Sequence, residues 1–525
     1  MDQKFDYIVV GSGINSLVCA SLLAKKGNKV LVLEREAIAG GCIKTGEVTL
    51  PGFKHDLMSG FYPEFLASKA YAELGDDLHA HGLEFDNTEF PTGAVLSDGR
   101  HIIYKTDRQQ NIDALNAAHE GDGDSFDADM ADFGAWAHVT FGLLGNEVMS
   151  WPVAKMLFAE WRKHGMLALT NFFGKSLSSA RSWTNTYQSD EAKACFAPWV
   201  LHAGMEVDGA MSGYMGRVFA FALEAVGMPV VKGGSENIIR AFTSFLSSRG
   251  SHVQTGVDVC NISVSGKRAT GVLGSDGQSY LAKKGVICNV TPAALYGADG
   301  LLPATNVPED IKQYAKAYQY GRGNMIIHLA LDAKPDWPNA DLAKVAMLHL
   351  SDGLAQTTQS LADTKNGLLP VRATMAVGQK AAVDPSRVPE GKFCLWIQLH
   401  EIPRDLRGDA AGIINTDDGW SDTVKLEYAD RVMDQLEEYA PGIKSKILGR
   451  NVYSPQDLAG LNINLVGGDP YSGANTMDQF LLWRPLRGLK GHRTPVKNVF
   501  HIGASTHPGP GLGATSGYLV GSTLK

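Results

Sequence analysis

Gly11-Ser12-Gly13-Ile14-Asn15-Ser16 sets two bare backbone positions among small and polar residues, directly after the apolar run Tyr7-Ile8-Val9-Val10. Gly11 can make a tight turn. Gly13 lets the backbone approach a pyrophosphate at the start of the next helix, where free N–H groups and the helix dipole favour an anion. Glu34 closes the next apolar run, Lys29-Val30-Leu31-Val32-Leu33, where a carboxylate can bind ribose hydroxyls and repels a 2′-phosphate. Position 16 is Ser where this fingerprint has Gly or Ala, small enough for helix-on-strand packing. A second pair, Gly40-Gly41, follows the acid, as a backbone beside a pyrophosphate and ribityl chain requires; this favours FAD over NAD, a plain two-glycine loop being the alternative.

The far end of the chain carries the complement. Gly503-Ala504-Ser505-Thr506-His507-Pro508-Gly509-Pro510-Gly511-Leu512-Gly513-Ala514 follows a short apolar strand and leads into a helix start, so the chain returns to hold the cofactor's other end. Four ionisable residues are candidates for substrate chemistry, each with a structural alternative. His507 either shapes the closing loop or touches substrate. His55, followed by Asp56, lies near the flavin face or makes a local turn bond. His202, in the uncharged run Ala194–Met205, is a core histidine or a site residue, and Tyr471, in Gly467-Gly468-Asp469-Pro470-Tyr471, lines the site or makes a turn. No nucleophile elbow, P-loop or metal-spaced cluster is present, and no metal is expected.

These residues need elements to position them. Strand, helix (Leu17–Lys26) and strand complete a βαβ unit by Glu34. A hairpin is expected around Val95–Tyr104, then mainly helix over 111–228. Lys232-Gly233-Gly234-Ser235 opens a helix, Glu236–Ser248. Alternation at Val253, Thr255, Val257 and Val259 predicts one strand, whose Val257 backbone either contacts adenine or merely joins helix to sheet. Met325–Leu331 and Phe393–Leu399 read as strands. Trp151–Phe173 reads as a core-facing helix of the substrate domain or as an amphipathic helix resting on a membrane.

The glycine motifs, with Asp478-Gln479-Phe480, Arg484-Pro485 and Arg493-Thr494-Pro495-Val496, resemble the phytoene desaturase-like (carotenoid oxidoreductase) FAD-dependent family. The resemblance covers the two ends well and the middle weakly. It implies an α/β protein with a glutathione-reductase-type FAD-binding Rossmann fold and a discontinuous α+β substrate domain, as in amine oxidases and phytoene desaturases. Residues 1–75, 229–299 and 476–525 would form the FAD-binding domain, and 76–228 and 300–475 the substrate domain. The resemblance further implies pyrophosphate at Ser12, Gly13 and Asn15, and ribose at Glu34 with Arg35 beside it. It puts the ribityl and flavin edge at Gly41 and Thr45, and the isoalloxazine along Gly503, Ala504, Leu512, Gly513 and Ala514. A helix starting near Gly513 would aim N–H groups at the flavin N1–C2=O edge.

Composition narrows the rest. With 525 residues, 44% hydrophobic content and a net charge of −8, the chain can build large cores and is not a nucleic-acid binder. Six scattered cysteines without a CxxC pair leave no disulfide framework or redox dithiol, and a cytoplasmic setting is expected, with peripheral membrane contact as the second reading of 151–173. The resemblance implies hydride removal and the aromatic-rich, weakly charged middle an apolar substrate, so the expected reaction is dehydrogenation of a hydrophobic, polyene or alicyclic, small molecule, with oxygen or a quinone as electron acceptor. An amine oxidase, a redox-neutral isomerase using reduced FAD and a flavin-bound interaction protein are the alternatives.

Overall fold

A computed structural model describes residues 4–525. The first sheet assembles at β1 (Lys4–Val10), whose buried, apolar residues pair in parallel with β2 (Val30–Leu33) on one side and with Ser279–Cys288 on the other. Between β1 and β2 runs α1 (Ile14–Lys25), buried along eleven of its residues, so its mean apolar character rather than one apolar stripe fixes it. His252–Gln254 extends the parallel sheet beyond β2, and Val499–His501 pairs with the end of Ser279–Cys288. The antiparallel strands Val259–Ser265 and Arg268–Gly274 complete it. This sheet therefore gathers its strands from three distant parts of the chain.

The expected single strand over Val253–Val259 is two strands. It breaks after Gln254 and resumes at Val259, because Gly256 adopts φ +76 and the chain hooks so that the N–H groups of Gly256 and Val257 reach the carbonyls of Glu36 and Glu34. Elsewhere the periodicity holds: the helix Glu236–Ser248, the hairpin Thr92–Val95 with His101–Tyr104, and the strands Gly323–Leu331 and Phe393–Ile402 are all formed.

A second sheet runs in the order Ile447–Tyr453, Gly323–Leu331, Phe393–Ile402, Met375–Gly378, Met347–Leu350, Thr92–Val95 and His101–Tyr104. One face carries the largest apolar core, with Leu395, Ile397 and Leu399 of its central strand buried; the other face carries Trp396, Gln398 and His400, at the alternate positions a pleated strand dictates. The helix Trp151–Ser176 is not core-facing. Only Val153, Glu160, Phe172 and Ser176 are buried, while Trp151, Met166 and Leu167 are 79%, 60% and 74% exposed, and the helix kinks at Gly165, whose φ is +84.

A buried ionic cluster joins the two sheets. Asp56, on the short hairpin Thr45–Gly46 with His55–Asp56, contacts Arg387 (2.8 Å) and Lys380 (3.1 Å), and Arg387 also meets Asp384 (3.1 Å). Asp56 further accepts from the Ser235 N–H and the Thr45 hydroxyl, both at 2.8 Å. Burial pushes its carboxyl pKa up, but Arg387 and Lys380 outweigh burial and hold it well below the usual carboxylate range. Asp56→Asn leaves two cations with one anion in a dry interior, so a loss of about 3–5 kcal/mol is expected. Urea unfolding followed by tryptophan emission checks it; an unchanged midpoint would contradict the role given to this cluster.

Candidate active site

The end of β1 and the start of α1 form a backbone cradle. Gly11, at φ +84, turns the chain beneath Asn289, and a Cβ on Gly13 would lie 3.1 Å from the Asn289 amide nitrogen. The N–H groups of Gly13, Ile14 and Asn15 meet no acceptor among the described residues, as the first turn of a helix leaves them. Gly41, at φ +61, packs its bare face against Gly13: a Cβ there would lie 3.2 Å from the Gly13 Cα. Unpaired donors, a helix N-terminus and facing glycines together fit a pyrophosphate.

Glu34 stands beside this cradle. Its carboxylate accepts the Ser12 N–H (2.9 Å), the Ser12 hydroxyl (2.6 Å) and the Glu36 N–H (2.9 Å). One lone-pair direction is left for a further donor such as a ribose hydroxyl. Ser12 thus fixes Glu34 instead of presenting its own N–H to a phosphate. Asn15 likewise spends its side-chain oxygen on the Gly517 N–H (3.0 Å), binding α1 to the last helix, Thr515–Thr523. Arg35 borders the same space and pairs with Glu36 and Asp258. Val257 also borders it, its N–H already given to the Glu34 carbonyl.

Asn289 is a site residue that the sequence reading missed. Its side chain donates to the Ser16 hydroxyl (3.0 Å), so the Ser at the third fingerprint position is used as an acceptor rather than merely tolerated. A Cβ on Gly503, at φ +110, would collide with the Asn289 side-chain oxygen. This is why the closing loop begins with glycine.

From the cradle one cavity of about 930 Å³ runs past Gly40, Gly41 and the loop residues Ala504, Pro510, Gly511 and Leu512 to the polar-and-aromatic face of the second sheet. Gly503, Gly513 and Ala514 lie behind that wall: Gly503 donates to the Ser516 hydroxyl, Gly513 to the Glu64 carboxylate (3.3 Å), and Ala514 is buried at φ +53 as the cap of a helix that starts at Thr515. Thr45 is also off the cavity, its hydroxyl held between Asp56 and the Glu236 N–H.

The four candidate chemistry residues divide evenly. His507 is buried away from the cavity, with Nε2 3.0 Å from the Asn146 carbonyl and 3.1 Å from that of Leu143; it anchors the closing loop to the end of the helix Asp122–Leu144. His55 is buried against Thr49 (2.8 Å) and edge-on to His328, again outside the cavity. Tyr471 and His202 both line it. The Tyr471 hydroxyl lies 2.6 Å from the Leu201 carbonyl and 2.9 Å from His400 Nδ1. His202 stacks on Trp199, sits 3.0 Å from His349 and crosses His400 at 4.2 Å between ring centroids. His349, His400, Gln398 and Trp396 were missed; the period-2 spacing Trp396-x-Gln398-x-His400 within an apolar strand was the available signal.

The fold is that of a two-part Rossmann-type oxidoreductase, and its glycine cradle opens into an aromatic-lined chamber. The family model for the NAD(P)-binding Rossmann-like domain matches residues 9–71. Pyridine nucleotide-disulfide oxidoreductase domain-containing protein 2 of Rattus norvegicus is 24% identical over 578 residues, covering 100% of this chain and 94% of its own. One of the limonene dehydrogenase polypeptides of Castellaniella defragrans is 21% identical, covering 99% and 94%, and phytoene desaturase of Fusarium fujikuroi 24%, covering 97% and 87%. Among solved structures, an oxidoreductase from Methanosarcina mazei (TM-score 0.59, 17% identity, 99% of both chains) shares the fold. So does cyclohexylamine oxidase from Brevibacterium oxydans (TM-score 0.58, 14% identity, 99% of this chain and 98% of its own). The chain is a homologue of the phytoene desaturase-like oxidoreductases, as its glycine motifs indicated.

Burial pushes His202 and His328 down to about 3, and His55, His501 and His507 to about 4. In the unfolded chain these rings titrate near 6.5, so between pH 6.5 and 4 the unfolded state holds more protons than the folded one. Stability is therefore full above pH 6.5 and falls on acidification. Glu401, raised to about 7 by burial, opposes the trend, as do Glu64 and Asp469, which burial also raises; the lowered histidines outnumber them. Thermal melts from pH 7.5 to pH 5 should show a steadily falling Tm; a Tm that rises over that interval would contradict neutral burial of these rings.

Proposed function

We propose that the chain binds FAD along the Gly11–Asn15, Glu34 and Gly40–Gly41 cradle and dehydrogenates a hydrophobic small molecule held on the second sheet. The observation that carries this reading is the single cavity joining the two regions. When bound, FAD supplies a two-electron hydride acceptor. The N-terminus of α1 holds its phosphates, Glu34 its ribose, and the 504–512 loop closes one side. Trp199, Phe219, Met215, Met347 and Trp396 give the substrate chamber apolar walls, which exclude water and orient a hydrocarbon body. The proposed domain division follows strand membership: the first sheet draws on the two ends and on 252–288, the second on 92–104 and 323–453. Relatives named for limonene and phytoene favour a hydrocarbon-like substrate.

An interaction protein with no chemistry fits less well, since the chamber stays open. The amine oxidase reading also loses ground: the acids bordering the cavity, Glu34, Glu36, Glu64, Asp258 and Asp299, come from neither the second sheet nor the Trp199–Val226 helices that roof it. The purified protein should be yellow, and substrate added without air should bleach it; product formed only after prior reduction, with no bleaching, would favour an isomerase. Gly13 sits at φ −62, a value any residue adopts, so Gly13→Val fills the cradle without backbone strain. Its FAD affinity should fall about tenfold to a hundredfold while the flavin-free protein stays folded, with the Asn289 side chain shifting to admit the new methyls. Undiminished FAD binding would refute the cradle.

Contact with a lipid surface is part of the same proposal. Trp151, Phe158, Met166 and Leu167 stand exposed beside Lys155, Arg162 and Lys163, a composition suited to an interfacial helix. No helix among the described residues is long and apolar enough to cross a membrane. The protein should co-sediment with mixed phosphatidylcholine–phosphatidylglycerol vesicles, and the double variant Trp151→Ser/Leu167→Ser should lower the bound fraction about tenfold. Equal sedimentation of both proteins would remove the helix from this role.

A further inference from the structure

The substrate end of the cavity is apolar except at one corner, where several polar groups converge without satisfying one another. Gln398 and His202 are only part-buried, and both line the chamber. Gln398 donates its amide to the Asn324 side-chain oxygen (2.6 Å), which leaves its own Oε1 as a free acceptor. His202 Nε2 shares one proton with His349 Nε2 at 3.0 Å. His349 Nδ1 is buried with no partner, and a buried bare lone pair costs less than a buried unpaired N–H. The shared proton therefore sits on His349 Nε2, so His202 accepts it and carries its own hydrogen on Nδ1. The corner therefore offers one donor, His202 Nδ1–H, beside one acceptor, Gln398 Oε1.

Behind these two lies a second layer that is itself incomplete. The Tyr471 hydroxyl donates to the Leu201 carbonyl, so it must accept from His400 Nδ1–H, and His400 Nε2 is left as a buried lone pair without a partner. Asn324, fully buried, has an unpartnered amide nitrogen. Buried polar atoms of this kind are normally paired in native proteins, and three of them behind the corner leave Gln398 Oε1 and His202 Nδ1–H as the two groups that a ligand in the chamber can reach. The rings of the corner are neutral. Burial lowers His202, His349 and His400, with His202 adding to the shift of His349 and with His202, Arg322 and His349 adding to that of His400. The cations bordering the cavity, Arg35 and Lys44, lie at its other end, and Arg322, behind His400, donates to the His400 (3.2 Å) and Met205 (3.1 Å) carbonyls.

Resting on the reading of this cavity as a substrate chamber, we infer that the substrate is an apolar molecule bearing a neutral hydroxyl group, which donates to Gln398 Oε1 and accepts from His202 Nδ1–H while its hydrocarbon body lies against Trp396, Trp199 and Met347. A hydroxyl is the small group that supplies both halves of that pair. An ammonium would leave His202 Nδ1–H facing a cation, and a carboxylate would face Gln398 Oε1 while Arg322, the cation behind His400, is turned to backbone carbonyls.

The test is a head-group series on the purified protein: octan-1-ol, octan-1-amine, octanoate and nonane, with binding read from tryptophan emission, which Trp199 and Trp396 at the wall report. At pH 7.5 octan-1-ol should bind at least about tenfold more tightly than the amine or the carboxylate. His202→Phe, which keeps a ring on Trp199, and Gln398→Leu should each lower octan-1-ol affinity about tenfold and leave nonane unchanged. His202→Asn, which restores a donor near the Nδ1 position, should recover most of the loss. Tightest binding of the amine or carboxylate overturns the proposal, as do variants that weaken octan-1-ol and nonane alike. The series on the unaltered protein decides the matter even where a variant does not fold. Because no flavin signal is read, a protein that holds no FAD yet prefers the alcohol refutes the proposed function alone, and an FAD-holding protein without head-group preference refutes this inference alone.

Discussion

Asp56 is the charge on which the arrangement of the two halves depends. One buried carboxylate receives Arg387 and Lys380 from the half built on the second sheet, and the Thr45 hydroxyl and Ser235 N–H from the half built on the first. With Asp384 the cluster holds two acids and two bases, so it balances without solvent. Such a cluster gains little net stability over an apolar packing, but it tolerates no misalignment, because each partner left alone would be a bare charge in a dry interior. Lys380 carries the effect to the cavity. Its ammonium lies 5.1 Å and 5.0 Å from the ring centres of Phe61 and Trp396, two rings of the chamber wall, and a Cβ on Gly60 would collide with it. The ion cluster is thereby packed directly against the aromatic wall of the cavity.

The return of the chain end is fixed by shape instead of charge. Gly503 passes over Asn289 and Gly517 over the Asn15 carbonyl, contacts that no side chain could survive. The hydroxyls of Thr506 and Ser516 bond to each other, and Ser516 also receives the Gly503 N–H. His492 and His507 fasten the outside of the same loop to residues 143–147. The closing segment is thus held from both faces while Ala504 and Leu512 reach the cavity. A loop this heavily tied can shape a cofactor edge without itself taking part in proton chemistry, which accounts for the position of His507.

What could be read in the chain was local. The β1–α1–β2 unit, the glycine pairs and the terminal strand–loop–helix each lie within a few dozen residues, and their spacing states their geometry. The substrate corner is not local. His202 and His349 meet across 147 positions, and Asp56 meets Arg387 across 331. Only the register of the second sheet turns Trp396, Gln398 and His400 toward the helix that bears His202, and register is set by packing that a lone sequence does not print. The strand break at Gly256 escaped for a related reason. The alternation Val253, Thr255, Val257, Val259 is that of a strand, but the glycine inside it bends back to bond Glu34 and Glu36. Thr45 shows the reverse: the family resemblance implied a cofactor contact there, whereas its hydroxyl serves the ion cluster.

The most direct measurement is a crystal structure of the protein reconstituted with FAD. The pyrophosphate should lie within hydrogen-bond reach of the Gly13, Ile14 and Asn15 N–H groups, a ribose hydroxyl on Glu34, and the ring system in the cavity that also contains His202 and Gln398. A dinucleotide bound elsewhere, or a ring system separated from those two side chains by a closed wall, would contradict the joining of cofactor cradle and substrate chamber in one cavity.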